Sequence, residues 1–217
     1  MSRLKLRKTK IWHQNYLIYR YLWPNIEWAV ESVKKQLNIV KPKVLDVGCG
    51  EKPYRDLFED CEYIGLNPTE DNATPDILGN ATDLPLESET VDIVFTTQVI
   101  EHVPEPQKMI NECFRVLKPG GALVLTGPFY WPIHEEPYDY YRYTRFGLEY
   151  MLQKAGFTTW EIRPDGGDWA QILLSINLKV PRMLFPIRIL VNCLGLLAEK
   201  ISTSENIPAN YTLKAFK

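Results

Sequence analysis

Apolar runs and apolar stripes alternate along this chain. Val44, Leu45 and Val47 form an almost unbroken apolar, mostly β-branched run, the pattern of a strand covered on both faces. Comparable stretches at Glu62–Asn67, Pro75–Leu78, Val91–Phe95, Ala122–Thr126, Phe157–Ile162 and Tyr211–Phe216 bring the predicted strands to seven. Between them the period changes. A short helix is predicted at 53–60, and Met109, Ile110, Cys113, Phe114 and Leu117 mark one face of a helix near 105–117. Lys118-Pro119-Gly120-Gly121 stops that helix, and another near 145–155 ends at Ala155-Gly156. Strands that alternate with helices predict an α/β fold with a mostly parallel sheet.

Ahead of the first strand lies an aromatic-rich stretch from Ile11 to Trp23, which Pro24 is expected to break. Ile26, Val30, Val33 and Leu37 then recur at helical spacing, so residues 1–41 read as a helical extension in front of a domain at 42–217. The stripe fits packing, with a cap over the first strand's turn as the alternative. Two segments interrupt the alternation, 127–143 and 165–208. Loops at the carboxyl ends of parallel strands build sites, which makes the first the main substrate candidate. In the second, Ile187, Leu190, Val191, Leu194, Leu197, Ala198 and Ile201 make a helical stripe, interrupted by charges before it reaches the roughly 20 apolar residues of a membrane span. A lid packed on the core is expected there, ahead of a homodimer interface or a peripheral membrane contact. Asp165-Gly166-Gly167-Asp168-Trp169 is either an approach to the substrate pocket or a plain loop.

The first strand runs into Gly48-Cys49-Gly50, where glycine permits a sharp turn and close approach of a ligand. Pro53 suits the first turn of a following helix. Strand, glycine loop and helix start form a nucleotide-binding corner, and Asn67, at the end of the second strand, stands where a ribose-reading side chain is expected. Pro53 in place of a third glycine disfavours a nicotinamide dinucleotide.

Composition narrows the function. The chain of 217 residues fits one domain, and 45% hydrophobic residues allow a substantial core. A net charge of -2 argues against a nucleic-acid partner, and no Asn/Asp-Pro-Pro-aromatic motif follows the fourth strand. The basic run Arg3, Lys5, Arg7, Lys8, Lys10 reads as a solvated terminus, with an anionic membrane surface as the alternative. Cys49, Cys61, Cys113 and Cys193 lack metal-like pairing, so reduced thiols and no metal are expected. No apolar leader follows the N-terminal charges, and a cytoplasmic location is expected.

Five motifs in order, Val44–Gly50, Gly65-Leu66-Asn67-Pro68, Asn80-Ala81-Thr82-Asp83-Leu84-Pro85-Leu86, Val99-Ile100-Glu101-His102-Val103 and Arg115–Gly121, resemble those of class I S-adenosylmethionine-dependent methyltransferases, in particular the bacterial small-molecule and sugar-pathway group. The resemblance covers about residues 42–163. It implies a Rossmann-like, seven-stranded, mostly parallel sheet between helices, with S-adenosylmethionine as cofactor. Asp46, Gly48, Cys49 and Gly50 are then expected around its methionine part, Asn67 at the ribose, Asn80 and Ala81 at the adenine, and Gln98 and Val99 along its face. Glu101-His102 is expected to serve packing. The group usually carries acids where Asn67 and Asn80 stand. A neutral amide still bonds a hydroxyl or an amino group, but less strongly than a carboxylate. Weaker cofactor binding, or a cofactor-binding protein without turnover, are the corresponding expectations.

Methyl transfer to a hydroxyl requires a proton acceptor. In the first insertion His134 is the candidate base, with Asp139 or Glu135 as substitutes. Arg142 is a candidate for an anionic acceptor group or for a salt bridge within the loop. Tyr130, Trp131, Tyr140 and Tyr141 are candidates for stacking on a sugar or an aromatic ring. The expected partner is a small-molecule acceptor.

Overall fold

A seven-stranded sheet dominates the computed structural model, which describes residues 9–201 and 204–217. Its strands are β1 (Lys43–Val47), β2 (Glu62–Asn67), β3 (Ile77–Leu78), β4 (Val91–Thr97), β5 (Leu117–Pro128), β6 (Thr159–Pro164) and β7 (Asn210–Phe216). The order is β3-β2-β1-β4-β5-β7-β6, and β7 runs antiparallel to both neighbours while the other pairs are parallel. This is the predicted Rossmann-like α/β fold. The sheet changes winding direction between β1 and β4, and their carboxyl ends open the crevice in which such folds bind ligands.

One face is covered by α2 (Pro106–Val116) and α3 (Arg145–Ala155), which pack Met109, Ile110, Cys113, Leu148 and Leu152 against Leu45, Val94 and Leu123. Pro106 sits in the first turn of α2, where a missing N–H costs little. Thr144 caps α3 by accepting the Gly147 N–H at 3.1 Å.

The other face is covered by α1 (Tyr16–Leu37), and here the expectation of a break at Pro24 is corrected. The helix runs through Pro24. An interior proline costs about 3 kcal/mol. Burial of Leu22, Trp23, Ile26, Val30 and Val33 against Val44, Phe95 and Val124 contributes on the order of 10 kcal/mol, so packing wins. The helix predicted at 53–60 shrinks to one 3-10 turn at Arg55–Phe58, with Pro53 outside it. Residues 16–37 form the layer over β1, leaving little sheet for a longer helix there to cover.

The second insertion forms α4 (Asp168–Asn177) and α5 (Phe185–Ile201). The expected packed stripe is corrected too. Ile187, Leu190, Leu194, Leu197 and Ile201 are exposed, and the buried side of α5 carries Arg188, Val191, Asn192 and Gly195. The reason is polar. Asn192 Nδ2 donates to the Ile11 and His13 carbonyls at 2.6 and 3.1 Å, and Arg188 Nη2 donates to the Val180 carbonyl at 2.6 Å. Unpaired buried carbonyls are costly, so they select the face that turns inward. Asp165 and Asp168 serve the architecture. Asp165 accepts from Asn25 Nδ2 at 2.7 Å and from Thr212 Oγ1 at 3.0 Å, and Asp168 accepts from Ser204 Oγ and the Ile207 N–H. No helix among the described residues is long and apolar enough to cross a membrane. Of the basic run, all but Lys10 lies outside the described residues.

Candidate active site

The glycine corner lies at the carboxyl end of β1. The N–H groups of Gly48 and Cys49 both donate to the Leu66 carbonyl, at 2.8 and 3.0 Å, which fastens the turn to β2. Gly48 has φ +76°, and a Cβ built there would lie 2.3 Å from Val99 Cγ2. Glycine is therefore required twice, by the left-handed backbone and by the approach of Val99. Lys52 Nζ donates to Asp76 Oδ1 at 2.8 Å, and Asp76 Oδ2 accepts the Gly65 N–H at 2.7 Å, which ties the loop to the segment before β3.

Beside this turn runs a cleft of about 630 Å³ bounded by Gly48, Gly50, Asn67, Gln98, Val99 and His102. It shares Gly48, Pro68, Val99 and His102 with a second hollow of about 350 Å³ that reaches Asn80, Ala81 and Thr82. Asn67 borders the cleft, and its Nδ2 donates to the Thr69 carbonyl at 2.9 Å, which leaves Oδ1 as the amide's acceptor. Asn80 Oδ1 already accepts from the Thr82 N–H and hydroxyl at 3.0 and 2.9 Å, so only its amide N–H groups remain for a ligand.

Two expected members of the corner lie behind it. Asp46 is buried and hydrogen-bonded to the Tyr63 hydroxyl, and it holds the strands rather than bounding the cleft. Cys49 is buried with its sulfur toward the position a Gly65 side chain would take. Burial pushes the Cys49 thiol up to about 12, so it stays protonated.

On the other side of Gln98 lies a smaller pocket of about 140 Å³. Tyr19, Trp23, Tyr54 and Trp131 give it aromatic walls, while Gln98, His102, His134, Glu135 and Asn210 give it polar ones. Gln98, His102 and Glu135 border this pocket and the large cleft alike. Gln98 has φ +54° and Glu135 φ +52°, left-handed conformations that non-glycine residues rarely adopt and that cluster at working sites. Gln98 is held by its N–H and its Nε2, which donate to Thr126 Oγ1 at 3.1 and 3.0 Å.

Glu101 is the feature that sequence reasoning missed. It lies in a 3-10 turn, Ile100–His102, after β4 and is fully buried. Neither carboxylate oxygen has a hydrogen-bond partner among the described residues. Burial pushes its pKa up, opposed by the dipole of its own backbone N–H and by the charges of His102 and Arg142. His102 Nε2 and His134 Nε2 lie 3.9 and 4.0 Å from Glu101 Oε1, and the two imidazoles meet edge to face at 4.9 Å. Full burial of Glu101 fits the packing expected of Glu101-His102, and the pair also meets His134. Their separation of more than thirty residues from His134 left no spacing pattern to detect.

The segment 129–143 is fastened to this turn. Tyr140 N–H donates to the Glu101 carbonyl, Tyr143 hydroxyl to the Ile100 carbonyl and Tyr141 hydroxyl to the Pro104 carbonyl. Asp139 is buried at its carboxylate, where Arg142 clasps both oxygens at 2.6 and 2.7 Å and the His134 N–H donates at 2.9 Å. The Arg142 hydrogen bonds hold the Asp139 carboxyl well below the usual carboxylate range. Arg142 also donates to the Trp131 and Pro132 carbonyls. These contacts leave Asp139 too acidic for a base and Arg142 occupied, so both build the loop. Tyr141 is engaged with Pro104, and Tyr130 is exposed away from the pocket. Trp131 and Glu135 do border it, as does Tyr19 of the aromatic stretch.

A sequence profile described as methyltransferase domain matches residues 45–125. Residues 45–125 are a methyltransferase domain. A probable S-adenosylmethionine-dependent methyltransferase of Mycolicibacterium smegmatis is 40% identical over 96 residues, 39% of this chain and 37% of the relative. The chain thus matches little more than a third of that relative's length. Among solved structures, a SAM-dependent methyltransferase from Archaeoglobus fulgidus superposes with a TM-score of 0.58 at 18% identity, over 88% of this chain and 94% of that one. The [4+2]-cyclase SpnF superposes with a TM-score of 0.57 at 19% identity, over 88% and 80%. These likenesses establish the class I methyltransferase fold. The matched stretch of the methyltransferase domain holds the glycine corner, Asn67, Asn80, Gln98 and Glu101-His102, and it ends before the 127–143 segment and its His134.

Within the methyltransferase domain the residues fit S-adenosylmethionine. The side-chain-free edge of Gly50 faces open space with room for a chain, Asn67 offers an acceptor for a diol, and Ala81, Val99 and Val103 give the second hollow apolar walls for a base.

Proposed function

We propose that this chain is an enzyme that transfers the methyl group of S-adenosylmethionine to a hydroxyl of a small acceptor, of saccharide type or a related metabolite. The observation that carries this reading is the junction at Gln98, His102 and Glu135, which border both the large cleft and the small pocket. Bound S-adenosylmethionine supplies an electrophilic methyl on a sulfonium. Gly48, Gly50, Asn67 and Ala81 bind and orient it, and Gln98 and Val99 fix its face.

The protein positions the second reactant and handles its proton. Tyr19, Trp23, Tyr54 and Trp131 offer aromatic faces for the apolar side of a ring, and Asn210 and Gln98 offer bonds to its polar edge. A pocket of about 140 Å³ admits the reacting part of such an acceptor. His134 Nδ1 lies 3.2 Å from the Pro132 carbonyl and from Asp139 Oδ2, both acceptors, so Nδ1 carries the hydrogen and Nε2 keeps its lone pair. That nitrogen takes the hydroxyl proton, with the Glu101 carboxylate stabilising the imidazolium.

The test is incubation of the purified chain with labelled S-adenosylmethionine and a panel of free and nucleotide-linked sugars, following S-adenosylhomocysteine and methylated product. His134→Gln should lower kcat at least a hundredfold with cofactor affinity within about twofold. Unchanged kcat removes His134 as the base. A second reading, cofactor binding without turnover, draws on Asn80, whose acceptor oxygen is already taken by Thr82. Tight cofactor binding with no product from any acceptor would favour it.

A further inference from the structure

We infer that Glu101, His102 and His134 form a site for one divalent first-row transition metal ion, open toward the aromatic pocket. Glu101 Oε1 and the Nε2 atoms of His102 and His134 all lie within 4.8 Å of one another. With Nε2 at 3.9 and 4.0 Å from Oε1, a point about 2.5 Å from all three donors exists, and inward shifts of about 0.5 Å reach the 2.0–2.2 Å of zinc–nitrogen and zinc–carboxylate bonds. Two histidines and one carboxylate are a ligand set for catalytic zinc and for non-haem iron, each with coordination positions left open.

Two further observations point to a ligand. The first is Glu101 itself. A carboxylate that is fully buried with both oxygens unpartnered is costly, and a cation among these donors would satisfy it. The second is the orientation of the rings. His102 Nδ1 is 2.7 Å from the Tyr138 carbonyl, which only accepts, so His102 also carries its hydrogen on Nδ1. Both imidazoles therefore give Nδ1–H to an oxygen and aim bare Nε2 atoms at Glu101. That outer arrangement, with Asp139 behind His134 and a carbonyl behind His102, is the one metal-bound histidines adopt.

The site stands on this geometry alone and does not require methyl transfer. If the methyl-transfer reading also holds, a bound ion would supply Lewis-acid activation of the acceptor hydroxyl; in that loaded form His134 would be held as a ligand and its role as proton acceptor would pass to Glu135. Its Oε2 lies 3.7 Å from His102 Nε2.

The test uses the full chain stripped with chelator, then dialysed against Zn²⁺ or Co²⁺ with neither cofactor nor acceptor present. Bound metal is counted by mass spectrometry, and Co²⁺ is followed by its visible absorption. We expect close to one ion per chain, falling at least tenfold in His102→Ala, His134→Ala and Glu101→Gln, and unchanged in His13→Ala and Cys193→Ser. His134→Ala lies in a surface loop, so a folded variant is available even if Glu101→Gln unfolds; melting curves check each. No uptake above a blank, or uptake undiminished in the folded ligand variants, overturns the site. Since no methyl donor is present, failure here leaves the methyl-transfer reading intact, and metal uptake without methylation leaves the site intact.

Discussion

A Cβ on Gly48 would sit 2.3 Å from Val99 Cγ2, so the first turn of the sheet and the second residue after β4 compete for the same space. Gly48→Ala has to push Val99 aside and hold alanine at φ +76°. Overpacking and left-handed strain together should cost about 2–4 kcal/mol. Adding Val99→Ala should recover the steric part and leave the strain of about 1 kcal/mol. Denaturant melts of the two variants check this. No recovery in the double variant would mean that backbone conformation alone demands glycine.

Asn67 departs from the acid that the resemblance led us to expect. Asn67→Ala should weaken S-adenosylmethionine binding about tenfold, the value of one hydrogen bond. Asn67→Asp should strengthen it by a similar factor, because a charged acceptor bonds a hydroxyl more strongly. Calorimetric titration reads both. Equal affinity in all three proteins would move the ribose away from Asn67.

Asp165 is buried with hydroxyl and amide partners and, among the described residues, no cationic one, and burial pushes its carboxyl up to about 7. A raised carboxyl pKa makes folding most favourable while the group is protonated in both states, below about 4. That contribution is lost as pH climbs through the folded value near 7. Asp165→Asn should therefore melt higher than the parent at pH 8 by a few degrees, with little difference at pH 4. A variant that melts lower at pH 8 would show that the carboxylate is stabilising there.

Arg142 ties Asp139 to the Trp131 and Pro132 carbonyls, and Arg142→Ala cuts every one of those links. Proteolytic cleavage within 130–141 should accelerate at least fivefold, while the melting temperature moves by under about 4 °C because the sheet is untouched. Cleavage at the parent rate would mean that the tyrosine bonds to 100–104 suffice to hold the loop.

The sheet was legible because burial on both faces writes continuous apolar runs, so β2 and α3 fall where the periodicity puts them. Pro24 misled because its local cost is small beside the apolar surface that α1 buries. The exposed stripe of α5 misled because the contacts that orient this helix are made by Arg188 and Asn192 with backbone carbonyls, which hydrophobic periodicity does not record. At the site, Gly48, Asn67, Gln98 and Val99 were expected from the resemblance, and all four border the large cleft. Glu101 was not expected there. A buried carboxylate with no partner can be recognised only once residues far apart in sequence have been brought together.

Three of the small pocket's four aromatic walls, Tyr19, Trp23 and Trp131, come from α1 and from the segment after β5, while Gly48, Gly50, Asn67 and Val99 of the large cleft come from the ends of β1, β2 and β4. Reading of the acceptor is thereby physically separable from reading of the donor. Tyr19, Trp23 and Trp131 can be exchanged without touching a residue of the glycine corner. A chain built this way can change customers while keeping its currency, and grafting the helix and loop of a relative onto this sheet is the way to move an acceptor preference between them.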